Sequence, residues 1–380
     1  MNYAEANTAL IKNGISKIKF METIKENIEI ARTIQSDFYT SNDMFKISKE
    51  KIFARSWQVL SDDNQLKLNG SALPIQFIDG FIEEPLVLIN NQNNINCFSN
   101  VCTHRGNLLI ENSCQLNKQI TCKYHGRRFD CAGKFISMPE SNDMKNFPSK
   151  SDNLTQIKTK KWQQFIFGTL ESDIEFDQIF SPVLERVGWM PIQDFIFDPT
   201  ASRDYLVKAN WALYCDNYLE GFHIPFIHKD LAKTLDYSKY KSEIYPYCNL
   251  QIGIASGGEH SFDLPTDSID YGKNIAAYYF WVFPNMMFNF YPWGLSLNIV
   301  KPIHPKLTKV EFKTYVWDSS KLEFGAGSIL DKVEREDEDI VEKVQKGVKS
   351  RYYKHGRFSP KMEKGVHHFH QLISQFMNRV

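Results

Sequence analysis

Residues 102–125 read CTHRGNLLIENSCQLNKQITCKYH. The stretch holds two limbs of metal-ligand residues, Cys102 with His104 and Cys122 with His125, in the pattern C-x-H, seventeen residues, C-x2-H. Structural zinc modules usually pair Cys with Cys in one limb and His with His in the other. Here each limb carries one of each. That order suits a two-iron cluster in which one iron takes both thiolates and the other both imidazoles, with a zinc knuckle as the alternative. Gly106 and Gly126 follow the ligand pairs, where tight loops must let backbone N–H groups approach sulfur. Cys114 and Cys131 lie outside the spacing and are expected to be small buried hydrophobes.

The mixed thiolate–imidazole set is the Rieske [2Fe–2S] arrangement. Its surroundings read as a β-domain. From residue 53 to about 170, short apolar runs such as LPIQFI, PLVLI and QQFIFGTL alternate with polar turns such as DDNQ and NNQNN, a spacing that suits a small antiparallel β-domain. Residues 138–153 form a long polar loop. Residues 1–52 read as a helical segment, with ETIKENIEIARTI (22–34) its best amphipathic stretch. Residues 171–380 read differently. A strand around SRDYLVKA leads into a helix from near Trp211, then strands over 275–300 and 308–317, then a helical final 50 residues. The expectation is an α+β domain with helices against an antiparallel sheet.

The bulk numbers agree. The 380 residues are 42% apolar, with 45 Lys plus Arg against 45 Asp plus Glu. A folded core is expected, and nothing in the charge balance calls for a nucleic-acid partner. No run approaches the roughly 18–20 apolar residues of a spanning helix, so no membrane partner is expected. The opening MNYAEANTALIKNGISKIKF lacks the marks of a signal peptide, which gives a cytoplasmic expectation. Seven cysteines at irregular spacing do not form a disulfide framework.

A cluster alone moves single electrons, and more than 200 residues follow it. Within NWALYCDNYLEGFHIPFIH (210–228), helical spacing puts Leu213, Asp216, Asn217, Glu220 and His223 on one face. Polar residues on a face that should be apolar are costly unless paired. Pro225 is expected to stop the helix after His223 and let His228 swing back. Two His need a carboxylate to complete a facial triad for mononuclear Fe(II) with open positions for O2. In SILDKVEREDEDIVEKVQKGV (328–348), Leu330, Val333, Ile340, Val341, Val344 and Val348 mark the apolar stripe. Asp337 falls on it, and Glu336, Glu338 and Asp339 fall on the solvated side.

These motifs together resemble the α-subunit family of Rieske non-haem iron oxygenases over nearly the whole chain. The matching residues are Cys102, His104, Cys122 and His125; then Asn210, Trp211, Glu220, His223 and His228; then Asp337 and Gln345. The resemblance implies a Rieske β-domain inserted in a START-like helix-grip catalytic domain, α+β with an antiparallel sheet. It implies a homotrimer in which His125 of one subunit reaches His223 of the next through the carboxylate of Glu220. Electrons would come from NAD(P)H through a separate flavin/iron–sulfur reductase, since the chain has no dinucleotide-binding G-x-G-x-x-G fingerprint.

Within the family the likeness is to the choline, glycine betaine, carnitine and stachydrine group, carried by DFYTSNDMFKISKEKIFARSWQVL, DNYLEGFHIPFIH and VQKGVKSRYYKHGRFSPKMEKGVHHFH. That group uses Glu at the bridge, where most ring dioxygenases have Asp, and hydroxylates a carbon beside a quaternary nitrogen, in some cases cleaving the C–N bond. Such a cation wants aromatic faces, which AYYFWVFPNMMFNFYPW (277–293) offers. Two features depart from the pattern or extend it. Arg127 stands where Trp commonly follows YHG, and is expected to alter donor docking or cluster solvation. The tract His367, His368, His370 is expected to be structural. Ring dihydroxylation of an aromatic is the alternative within the family; a Rieske electron-transfer or sensory protein is the alternative outside it.

Overall fold

The computed structural model describes residues 20–228, 240–255, 261–322, 324 and 330–379. The expected helix over 22–34 is absent. The segment runs irregularly, and helix begins only at Ser36–Thr40 (α1) and Asn42–Ser48 (α2), the latter capped by Ser41. The cause lies at the other end of the chain. Side chains of the C-terminal helix Lys364–Asn378 (α7) take the segment's backbone groups. Asn378 Oδ1 accepts from the Phe20 and Met21 N–H groups, His367 meets the Lys25 carbonyl, Ser374 donates to the Glu22 carbonyl, and His370 Nδ1 accepts from Ile34 N–H. Ile24, Ala31 and Ile34 are buried against this partner. Tertiary pairing overrides an amphipathic pattern here.

Ten strands follow: β1 Gln58–Asp62, β2 Ser71–Ile78, β3 Ile82–Asn91, β4 Asn94–Ser99, β5 Cys114–Gln115, β6 Gln119–Thr121, β7 Arg128–Asp130, β8 Phe135–Ser137, β9 Gln156–Trp162 and β10 Phe165–Thr169. They make one sheet in the order β1-β10-β9-β4-β3-β2-β5 and a small one, β6-β7-β8. The two limbs of the opening motif are turns next to these short strands. Cys114 sits on the edge strand β5 and is exposed, not buried as expected, because β5 pairs on one side only.

The second half is built on a seven-stranded antiparallel sheet. Its strands are β11 Ile196–Val207, β12 Lys241–Tyr245, β13 Cys248–Ile254, β14 Ile275–Val282, β15 Met286–Tyr291, β16 Gly294–His304 and β17 Leu307–Val316, in the order β11-β17-β16-β15-β14-β13-β12. Strand alternation gives its two faces different tasks. Phe288 packs on Phe165 and Phe167 of β10 and on Phe180 of helix α3 (Phe176–Val187), locking the two halves together. The opposite face carries the laterally paired row Gln251, Tyr279, Asn289, Ser296 and is covered by α4 (Trp211–Tyr218), α6 (Leu330–Gly347) and α7. Helix α3 and strands β12 and β13 were not expected from the sequence. Val344, counted on the apolar stripe of α6, is exposed.

Helices α4 and α6 are tied by polar rungs. Asn210 caps α4 through the Ala212 N–H, and its own N–H donates to Gln345 Oε1 at 2.7 Å. The Lys208 N–H donates to Glu342, the Tyr214 hydroxyl to Glu334, and the Asn217 amide to Asp337. Among the described residues no helix is long and apolar enough to cross a membrane.

Candidate active site

The two limbs of the opening motif fold alike. In the first, Cys102 N–H donates to the Asn107 carbonyl at 2.8 Å and Gly106 N–H to the Cys102 carbonyl at 3.0 Å. In the second, Cys122 N–H donates to the Arg127 carbonyl and Gly126 N–H to the Cys122 carbonyl at the same two distances. Gly106 and Gly126 have φ of 72° and 70°, the left-handed region where a side chain is strained. The His104 and His125 rings are 4.7 Å apart, and Asn107 Nδ2 reaches Cys122 Sγ across the loops at 3.7 Å.

The donors fit a cluster. Both cysteines are buried while both imidazoles are half-exposed. His104 Nδ1 is buried without a hydrogen-bond partner among the described residues, as a nitrogen awaiting a metal would be. Burial, then the charges of His125, Arg127 and Arg105, lower the His104 pKa and so favour the neutral ring. Burial pushes the Cys102 thiol up. At Cys122 burial is outweighed by the Tyr124 and His125 N–H groups and by Cys102 and Asn107, so its thiol is lowered toward thiolate.

Arg127 turns inward: its side chain is only 3% exposed and pairs with Asp152.

At the second constellation, α4 ends at Tyr218, earlier than expected. Glu220 Oε2 accepts from the Phe222 and His223 N–H groups and so starts a new turn. Pro225 then lies in the first turn of a short helix, Ile224–Ile227 (α5), where its missing N–H costs nothing, instead of ending α4. Asp216 leaves the expected face: it pairs with His370 Nε2 at 2.8 Å and accepts from Tyr39 at 2.7 Å. His367, His368 and His370 serve separate partners, namely the Lys25 carbonyl, Asn249 and Asp216.

His223, His228 and Asp337 converge, each offering a ligand atom within 4.8 Å of the others. Asp337 Oδ1 lies 3.4 Å from His223 Nε2 and 2.9 Å from His228 Nε2. Each imidazole keeps its other nitrogen on a carboxylate: His223 Nδ1 on Glu220 at 2.7 Å, His228 Nδ1 on Glu336 at 2.8 Å. That arrangement fixes the tautomer that points Nε2 at a metal. Asn217 Nδ2 donates to Asp337 Oδ1 at 2.6 Å. The set fits a 2-His-1-carboxylate iron site.

Glu336 therefore does not belong to the solvated side, as the stripe had it. It is reached because α6 passes directly over His228. Glu334 was missed as well. It lines the cleft beside the triad, one turn before Asp337, with the Tyr214 hydroxyl on its Oε2 at 2.6 Å. Loss of hydration, then the Asp337 charge, raises its pKa. The i, i+3 spacing of Glu334 and Asp337 was the available signal. Tyr218, Tyr279 and Tyr291 line the same cleft, together with Gln251 and Asn289 from the sheet.

Residues 197–379 match the family described as "Ring hydroxylating alpha subunit (catalytic domain)", and residues 56–148 match the Rieske [2Fe-2S] domain. The chain belongs to the ring-hydroxylating α-subunit family of Rieske oxygenases. It is similar to the chloroplastic choline monooxygenase of Beta vulgaris, at 28% identity over 90% of this chain and 76% of the relative. It is also similar to the carnitine monooxygenase oxygenase subunit of Acinetobacter pittii, at 28% identity over 94% of this chain and 98% of the relative. A solved quaternary ammonium Rieske monooxygenase, described in terms of carnitine oxidation and inter-subunit electron transfer, superposes with a TM-score of 0.75 at 25% identity, over 94% of this chain and 99% of that one.

Proposed function

We propose that this protein is a monooxygenase that hydroxylates a carbon next to the quaternary nitrogen of a small ammonium compound. The observation that carries this is the cleft beside the triad. Glu220, Glu334 and Asp337 line it with four tyrosines, and among the described residues no lysine or arginine does. Aromatic faces attract a cation that has no hydrogen to donate, and a carboxylate supplies its counter-charge. The similar choline and carnitine monooxygenases are named for substrates of this kind.

In this reading residues 53–170 are the electron-entry domain, and residues 1–52 with 171–380 hold the reaction centre. Cys102, His104, Cys122 and His125 hold the [2Fe–2S] cluster; His223, His228 and Asp337 hold the iron. When bound, these groups supply single electrons and the redox chemistry that activates O2. Glu220 holds the proton on His223 Nδ1, Glu336 does so for His228, and Asn217 steadies the Asp337 carboxylate. Tyr218, Tyr279 and Tyr291 seat the substrate and exclude water.

Electrons come from NAD(P)H through a separate flavin/iron–sulfur reductase. The working form is a homotrimer in which Glu220 meets His125 of a neighbour. Two exposed apolar patches support that contact. Phe226, 73% exposed, meets Phe222 edge-to-face beside Glu220, and Tyr124, 56% exposed, lies on the His125 ring.

Product analysis with choline, carnitine, glycine betaine and proline betaine, given a competent reductase, tests the reading. An aldehyde or a dealkylated amine from one of them is expected. Diol formation from an aromatic ring, with all four left untouched, would replace it with the dioxygenase reading.

A further inference from the structure

We propose that the buried Arg127 guanidinium tunes the cluster, standing as a fixed positive charge beside both of its loops and making its reduction more favourable. The proposal rests on the reading of Cys102, His104, Cys122 and His125 as cluster ligands.

The geometry is specific. Arg127 is the second residue after His125, and its carbonyl accepts the Cys122 N–H at 2.8 Å. Its side chain turns inward. Nη2 donates to Asp152 Oδ1 at 2.6 Å and to the Asp152 carbonyl at 3.2 Å. That same carbonyl accepts the hydroxyl of Thr103 at 2.8 Å, and Thr103 stands between Cys102 and His104. One oxygen thus joins the guanidinium to the first loop, while its backbone joins it to the second.

The charge is poorly screened. Phe135, Phe147 and Phe129 surround the guanidinium, with ring centroids 4.8, 5.4 and 5.7 Å from Cζ. Arg127 Nε is buried and has no hydrogen-bond partner among the described residues. Salt and water weaken a charge in such surroundings far less than one at the surface. Asp152 compensates only in part, because its side chain is 18% exposed and shares itself with Ser149.

The consequence follows from charge alone. Taking one electron from the reductase makes the cluster more negative by one unit and breaks no bond. A neighbouring cation favours that state, and net charge around a cluster is among the determinants of its potential. Asp152 works in the opposite sense, which gives the pair a signature that a purely structural role lacks.

The test is an EPR-monitored redox titration of the full-length protein with its cluster, with iron and sulfide measured alongside. Arg127→Gln should shift the reduction equilibrium at least tenfold toward the oxidised cluster, about 59 mV for a one-electron couple. Asp152→Asn should shift it the other way, and Arg127→Lys should stay within threefold of the parent. Assembled clusters with unmoved midpoints in Arg127→Gln and Asp152→Asn overturn the proposal, as do shifts of the same sign in both. If Arg127→Gln assembles no cluster, Asp152→Asn decides, and the absence of a positive shift there overturns it. A parent protein without a Rieske signal overturns the ligand reading itself, and this inference with it.

Discussion

Glu220 Oε1 lies 2.7 Å from His223 Nδ1, while its other oxygen caps the Phe222 and His223 backbone N–H groups. One carboxylate therefore shapes the turn, orients the imidazole and stands at the edge of the site. Glu220→Gln keeps the size and the caps but removes the charge that holds the Nδ1 proton. We expect iron content and cluster reduction to be unchanged and turnover to fall about 10- to 100-fold, the usual cost of losing such a partner. Single-turnover product formation from pre-reduced protein measures it. Parental turnover would refute the bridge.

Glu334 is the other acid in the cleft open to a conservative change, because a Gln there still accepts from Tyr214. With its pKa raised to about 8 by burial and Asp337, it is a full counter-charge only above that pH. For Glu334→Gln, KM for a quaternary ammonium substrate measured at pH 9 should rise roughly tenfold, about 1.4 kcal/mol of binding, and by less at pH 7, where Glu334 is largely protonated. Its kcat should change little. Binding of an uncharged carbon isostere, 3,3-dimethylbutan-1-ol in place of choline, should not weaken. Equal weakening of cation and isostere would point to a damaged cleft instead of a lost counter-charge.

The Rieske domain was legible because its four candidate ligands lie within one short stretch and their order is diagnostic. Asp337 was legible because a carboxylate on an apolar stripe needs a reason. Glu336 and Glu334 were not, because their roles depend on which part of α6 crosses His228 and Tyr214, and no local pattern encodes a helix crossing. The irregular run over 22–34 was misread for a similar cause: the side chains that bond its backbone are Ser374, His370 and His367, more than 330 residues away. Asp216 has the right spacing for the site but faces His370, a partner that only the folded α7 supplies.

Away from the chemistry, Arg186 is held by Asp270 at 2.6 Å, with Glu243 as its second partner; the Asp270 side chain is 1% exposed. Burial alone would raise the Asp270 pKa, but Lys273, Arg186 and Tyr278 outweigh it and the carboxyl is held below its ordinary value. A depressed carboxyl contributes stability that is complete above the unfolded pKa of about 3.9 and is lost as pH falls through the lower folded value. Asp270→Asn strands part of the Arg186 charge and should cost about 3–5 kcal/mol at neutral pH. Urea unfolding at pH 7 and below pH 4 checks it, since the gap between variant and parent should narrow in acid. A gap independent of pH would show that the loss is one of packing, not charge.

Metal content separates the oxygenase from its rivals. His223, His228 and Asp337 share one point, and Asn217 and Glu336 already orient two of them. The parent should carry three irons per chain, two of them in a cluster with a reduced-state EPR signal. Asp337→Ala should leave the Cys102–His125 loops untouched, because they belong to a separate set of strands. That variant should hold two irons, keep the signal and lose turnover. Two irons in the parent would make the chain an electron carrier with a silent second site. A colourless parent holding zinc would reassign the opening motif altogether, and Cys122, already lowered toward thiolate by the Tyr124 and His125 N–H groups, would then serve a structural ion.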